Sequence, residues 1–152
     1  MLWNQYSAQL PTISSVGCNM KVLAVDPGVT TGLAYKKNGI YITKAVTSHD
    51  EIFGIILNQE WDIVVCEMFI TAGRVSKYGI DTIELIGALK ALCKLSVIKM
   101  VMHTPSQRKP YEDKAAKILS AQGKFMTHQK DALSHLLKWE YDYAFRPSTI
   151  PG

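Results

Sequence analysis

The chain has 152 residues, 47% hydrophobic and 20% charged, long enough to close one core without disulfide or metal staples and too apolar for a disordered segment. Its formal net charge of +4 is uneven: residues 1–76 carry 5 Lys/Arg against 6 Asp/Glu, and residues 77–152 carry 12 against 7, so a polyanionic partner is expected on the C-terminal half. Cys18, Cys66 and Cys93 are odd in number and widely spaced, which excludes a disulfide framework and a Cys-based zinc site. They read as free thiols in a reducing compartment.

Residues 1–19 have no basic flank followed by an apolar core and do not read as a secretory leader. They are expected to be an arm with little order. Clean apolar alternation starts at Met20, giving a single domain over 20–142, and a proline-containing tail over 143–152. No apolar run reaches membrane-span length, so no membrane association and a cytoplasmic location are expected.

Three strands come first, at 21–26, 31–37 and 40–46. The last two are joined at Asn38-Gly39, a pair that tolerates positive φ and marks a hairpin. "SHDE" at 48–51 has the form of a capping box, with Ser48 as N-cap of a helix to about Gln59. "WDIVVCE" (61–67) is an apolar run closed by an acid, and a second helix covers 79–94. A core strand at 96–103 ends at Thr104-Pro105, and helices near 111–121 and 128–141 complete the domain. The order β-β-β-α-β-α-β-α-α predicts an α/β fold: a mixed five-stranded sheet, three antiparallel strands then two parallel, flanked by helices on both faces.

Two of those apolar strands end in a carboxylate, Asp26 and Glu67. The carboxyl edge of such a sheet is where sites form. In "THQKDALSHLLKW", His128, Asp131 and His135 fall within about 60° of one helix face. If that helix crosses the strand ends, Asp26, Glu67, His128 and Asp131 converge from three elements. Clustered acids need a counter-charge, and an oxygen-rich donor set with one imidazole suits Mg²⁺ or Mn²⁺ better than zinc. Two such ions would activate water for phosphodiester hydrolysis.

Taken together, "LAVDPGVTTGLAY", "IVVCEMF" and "HQKDALSHLL" resemble the RuvC-type Holliday-junction resolvases of the RNase H-like superfamily, over residues 20–140. The resemblance implies an RNase H-like fold and places Asp26, Glu67, His128 and Asp131 at the four metal-binding positions. It also implies two Mg²⁺ ions per site with Mn²⁺ as substitute, a homodimer with two active sites, and paired symmetric nicks in a four-way DNA junction. No nucleotide cofactor is implied. The segments after Glu67 and after the fifth strand follow the family pattern loosely, as in a divergent, phage-type member, which would work in the host cytoplasm. Phe69 is the nearest counterpart of an aromatic that engages the junction. Arg74, Lys77, Arg108, Lys109 and Lys114 are candidate phosphate contacts.

Each residue has an ordinary alternative. Asp before Pro-Gly caps turns, Glu67 can be solvated at a strand end, and Asp131 suits the first turn of a helix with Thr127 as N-cap. His135 is assigned no role beyond support or surface. Helix 79–94 carries more apolar residues than one core stripe needs, with Gly87, Ala88 and Ala91 beside them, which fits a dimer interface. The competing functions are an RNase H-like nuclease for other branched DNA or RNA–DNA hybrids, a non-catalytic junction-binding module and, discounted for length, an actin-like phosphate-gripping turn.

Overall fold

The structure is a computed structural model, and it describes residues 20–71 and 73–145. Expectations for the arm (1–19), which includes Cys18, and for residues 146–152 lie outside the described residues. One sheet contains β1 (Val22–Asp26), β2 (Thr31–Lys37), β3 (Ile40–Val46), β4 (Ile63–Glu67) and β5 (Lys99–His103), in the order β3-β2-β1-β4-β5. The pairs β1–β2 and β2–β3 are antiparallel, while β1–β4 and β4–β5 are parallel. This is the mixed sheet expected from the element order.

The helices are α1 (His49–Asn58), α2 (Lys77–Leu95), α3 (Pro105–Arg108), α4 (Glu112–Gln122) and α5 (Thr127–Ala144), with a 3₁₀ turn at Lys109–Tyr111. Strand alternation divides the core in two. Leu23, Val25, Val64 and Cys66 pack against Ile52, Ile56, Leu85 and Leu89 of α1 and α2. On the opposite face Ala24, Ala34 and Val65 pack against Ala115, Leu119, Leu133 and Leu136 of α4 and α5. Cys66 and Cys93 are buried free thiols.

Local signals explain most boundaries. Asn38 and Gly39 both adopt positive φ, 52° and 76°, in the β2–β3 turn, and the Ser48 hydroxyl accepts from the Glu51 amide at the start of α1. Several boundaries differ from the sequence expectation: β5 starts at Lys99 and not at 96, and α2 at Lys77 and not at 79. β4 starts at Ile63 and not at 61, and just before it the Asp62 carboxylate accepts from the Lys21 amide. Thr104-Pro105 not only ends β5 but opens α3, with Pro105 in the first turn and the Thr104 amide donating to Gln107 Oε1 at 2.7 Å. The N-cap of α5 is Met126, whose amide donates to Gln129 Oε1 at 2.7 Å, so Thr127 lies inside the helix. That helix also runs to Ala144, into the segment read as a tail.

Candidate active site

The parallel register sets Glu67 beside His103, and Val25 beside Cys66, which brings Asp26 to the same row. Parity then decides direction. Asp26 follows Ala24, Glu67 follows Val65 and His103 follows Val101 by two residues, so all three side chains emerge on the α5 face. The row is the C-terminal end of three adjacent parallel strands, and α5 crosses above it.

Glycine lets α5 come this close. A Cβ on Gly32, the β2 partner of Asp26, would lie 1.8 Å from the His128 carbonyl oxygen and 2.4 Å from its carbonyl carbon. The first turn of α5 therefore rests directly on the backbone of β2. Gln129 Nε2 donates to Thr43 Oγ1 at 3.1 Å, and Tyr41 donates to Glu140 at 2.6 Å, tying α5 along the antiparallel half of the sheet.

The four predicted residues meet at this edge. His128 Nδ1 lies 2.9 Å from Asp26 Oδ2, with the imidazole partly exposed and the carboxylate buried. Burial pushes the Asp26 carboxyl up to about 6; the His128 bond opposes this, and the neighbouring Glu67 and Asp131 charges add to it. Asp131 is likewise raised by burial, with Arg108 and Lys130 pulling the other way. Glu67 differs. Burial pushes it up too, but hydrogen bonds from His135 and Arg108 outweigh that and hold it below the ordinary glutamate range.

Arg108 was expected as a surface phosphate contact and is instead drawn into the cluster. Its Nε donates to Glu67 Oε2 at 2.7 Å, and its Nη1 to Asp131 Oδ1 at 3.3 Å and to Glu112 Oε1. Arg74, Lys77, Lys109 and Lys114 are exposed. Phe69 is half-exposed, its ring against Gly79 in the first turn of α2.

His135 sits deeper than the sequence reading gave it. It is fully buried, with Nε2 2.6 Å from Glu67 Oε2 and Nδ1 3.2 Å from His103 Nδ1. The two rings share one hydrogen bond through their Nδ1 atoms. Burial and the adjacent His135 lower His103 to about 4, so it is neutral at pH 7. His103 and Glu112 are the members of this cluster that sequence reasoning missed. The signal for His103 was present, since "KMVMH" ends in the same frame as "IVVCE".

Three carboxylates and an imidazole along this edge make a hard, oxygen-rich donor set, and Asp26 is raised chiefly by burial, with the Glu67 and Asp131 charges adding to it. That chemistry fits a divalent cation. Among the described residues, however, no three acid and imidazole side chains are gathered closely enough to enclose an ion. Arg108 already bridges Glu67 and Asp131.

No protein-family model and no curated protein matches the sequence. Solved structures do. A Thermus thermophilus RuvC in complex with a Holliday junction substrate superposes with a TM-score of 0.64 at 15% identity, covering 86% of this chain and 98% of that one. A second Thermus thermophilus RuvC structure gives 0.60 at 16% identity, covering 81% and 95%. With its mixed sheet of order β3-β2-β1-β4-β5 and helices on both faces, the chain has the RuvC-type, RNase H-like fold.

Proposed function

We propose that the protein is a divalent-metal-dependent endonuclease that resolves four-way DNA junctions by paired symmetric nicks, acting as a homodimer. The observation that carries this reading is the convergence of Asp26, Glu67, His128 and Asp131 at one sheet edge, on a fold shared with a RuvC solved with junction DNA. The low identity agrees with a divergent branch of that fold.

Asp26, Glu67 and Asp131 would hold Mg²⁺, or Mn²⁺ in its place, with His128 as the fourth donor. Two bound ions supply an activated water and charge stabilisation for in-line attack on phosphorus. Asp26, with Glu67 and Asp131 as its charged neighbours, would be one of the residues that hold the cations. Its buried carboxyl holds a proton more tightly than usual and gives it up on ligation. His135 would hold Glu67 from behind by a direct hydrogen bond, and His103 in turn contacts His135. The exposed cations after Glu67 and after β5 would guide the phosphate backbone across the edge.

The test is cleavage of a synthetic four-way junction beside linear duplex, a flap and an RNA–DNA hybrid, with and without Mg²⁺. Symmetric, metal-dependent nicking of the junction alone is expected. Cutting of the hybrid or flap instead would move the activity elsewhere among RNase H-like nucleases. Tight junction binding without cutting in Mg²⁺ or Mn²⁺ would make the protein a binding module.

A further inference from the structure

We infer that Arg108 couples DNA engagement to cation binding: it competes with the cation for Glu67 and Asp131, and releases them when a backbone phosphate takes its guanidinium. This rests on the reading above that the acid cluster takes a divalent cation.

Arg108 reaches three carboxylates from one guanidinium: Glu67 through Nε at 2.7 Å, Asp131 through Nη1 at 3.3 Å, and Glu112. Glu67 ends β4 and Asp131 lies on α5, so the side chain links carboxylates of two elements that a cation ligated by both would also have to link. The guanidinium is permanently charged and its planar fork suits two acceptors at once. A divalent ion on the same carboxylates would meet that charge at close range, and two cations a few ångströms apart in a partly buried site repel strongly. The two therefore exclude each other. Oε2 of Glu67 already accepts from both Arg108 and His135.

The arginine also has somewhere to go. It lies at the end of a four-residue helix, followed by exposed Lys109 and, in the first turn of α4, exposed Lys114. A phosphate attracted to these cations would match the guanidinium fork as well as a carboxylate does. Glu112, four residues on, keeps the side chain near the edge during the exchange. Cation affinity is then low until DNA docks and rises when it does. By linkage the cation raises DNA affinity by the same factor.

The experiment is a Mn²⁺ titration of the full chain without DNA, read by electron paramagnetic resonance of free Mn²⁺, with thermal melts to verify folding. Arg108→Gln should bind Mn²⁺ on the order of tenfold tighter than wild type. Arg108→Lys, which keeps the charge but not the fork, should fall between them. Lys130→Gln is the control, removing a unit charge 3.7 Å from Asp131 Oδ1 without removing a bridge. An Arg108→Gln variant no tighter than Lys130→Gln overturns the competition and leaves the proposed nuclease standing. If Asp26→Asn does not weaken Mn²⁺ binding in either background, both the cation site and the competition fall. Junction affinity in EDTA tests the release: Arg108→Gln should bind more weakly, with a salt slope shallower by about one. An unchanged slope overturns it.

Discussion

Asp26 is a buried carboxyl with two other acids as neighbours, and this makes a measurable prediction. Its carboxyl is raised from 3.8 to about 6 by burial and by the neighbouring acids. The folded state therefore binds this proton more tightly than the unfolded one. The contribution of the neutral acid is complete below about pH 4 and is lost as pH rises through about 6, up to about 3 kcal/mol in total. His103 acts in the opposite sense: lowered to about 4, it adds stability that is lost as pH falls from its unfolded value towards 4. The total slope is therefore a partial cancellation. The difference between wild type and Asp26→Asn isolates the carboxyl: in EDTA, the variant should gain on wild type between pH 4 and 7 in chemical denaturation. A flat difference would mean that burial does not raise the Asp26 carboxyl. The same variant should lose roughly 10²-fold or more in junction cleavage while keeping its junction affinity in EDTA, and normal cutting by Asp26→Asn would refute the site.

At the scale of elements, the position of α5 decides whether the cluster exists. Gly32, Ala24 and Ala34 make the sheet face beneath it shallow, and the His128 carbonyl rests where a Gly32 side chain would be. Gly32→Ala should cost about 3 kcal/mol, the upper range for overpacking, because the clashing atoms are backbone and cannot rotate away. Cleavage should fall further than stability does, since lifting the first turn of α5 takes both His128 and Asp131 off the strand ends. Equilibrium denaturation alongside single-turnover cleavage would separate the two effects. Full activity in a destabilised Gly32→Ala would show that the site tolerates a looser helix than the geometry implies.

For the whole molecule, the outward face of α2 is the feature that a single domain leaves unexplained. Leu85, Ile86, Leu89 and Cys93 face the core, while Ile80 and Ile83 remain about half exposed and Gly87 has open space around its Cα. A second copy packed there would bury a stripe flanked by small residues. We expect sedimentation to give a dimer at micromolar concentration and the pair Ile80→Glu, Ile83→Glu to give a monomer that still melts cooperatively, its melting temperature no longer dependent on concentration. The monomer should nick junctions singly rather than in pairs. A monomeric wild type would remove the basis for symmetric cleavage.

Much of this was legible before any coordinates. Apolar runs and turn chemistry located all five strands and four of the five helices, because the run over Val22–Asp26 and the capping pattern at Ser48 are local effects. Local chemistry misjudged α3 and the start of α5: Thr104-Pro105 reads equally as a stop and as a start, and Gln129 reaching back to Met126 competes with the Thr127 cap. Strand-end acids with a His-x-x-Asp helix start were enough to nominate Asp26, Glu67, His128 and Asp131. Sequence by itself determined the composition of this edge, since residue type and two-residue parity settle which side chains face which layer. Only the tertiary structure decided who pairs with whom. Strand register set His103 in the row, helix crossing buried His135 behind Glu67, and the chain's return after β5 carried Arg108 across to two acids 41 and 23 residues away. Those pairings depend on distances between elements, which no local pattern encodes.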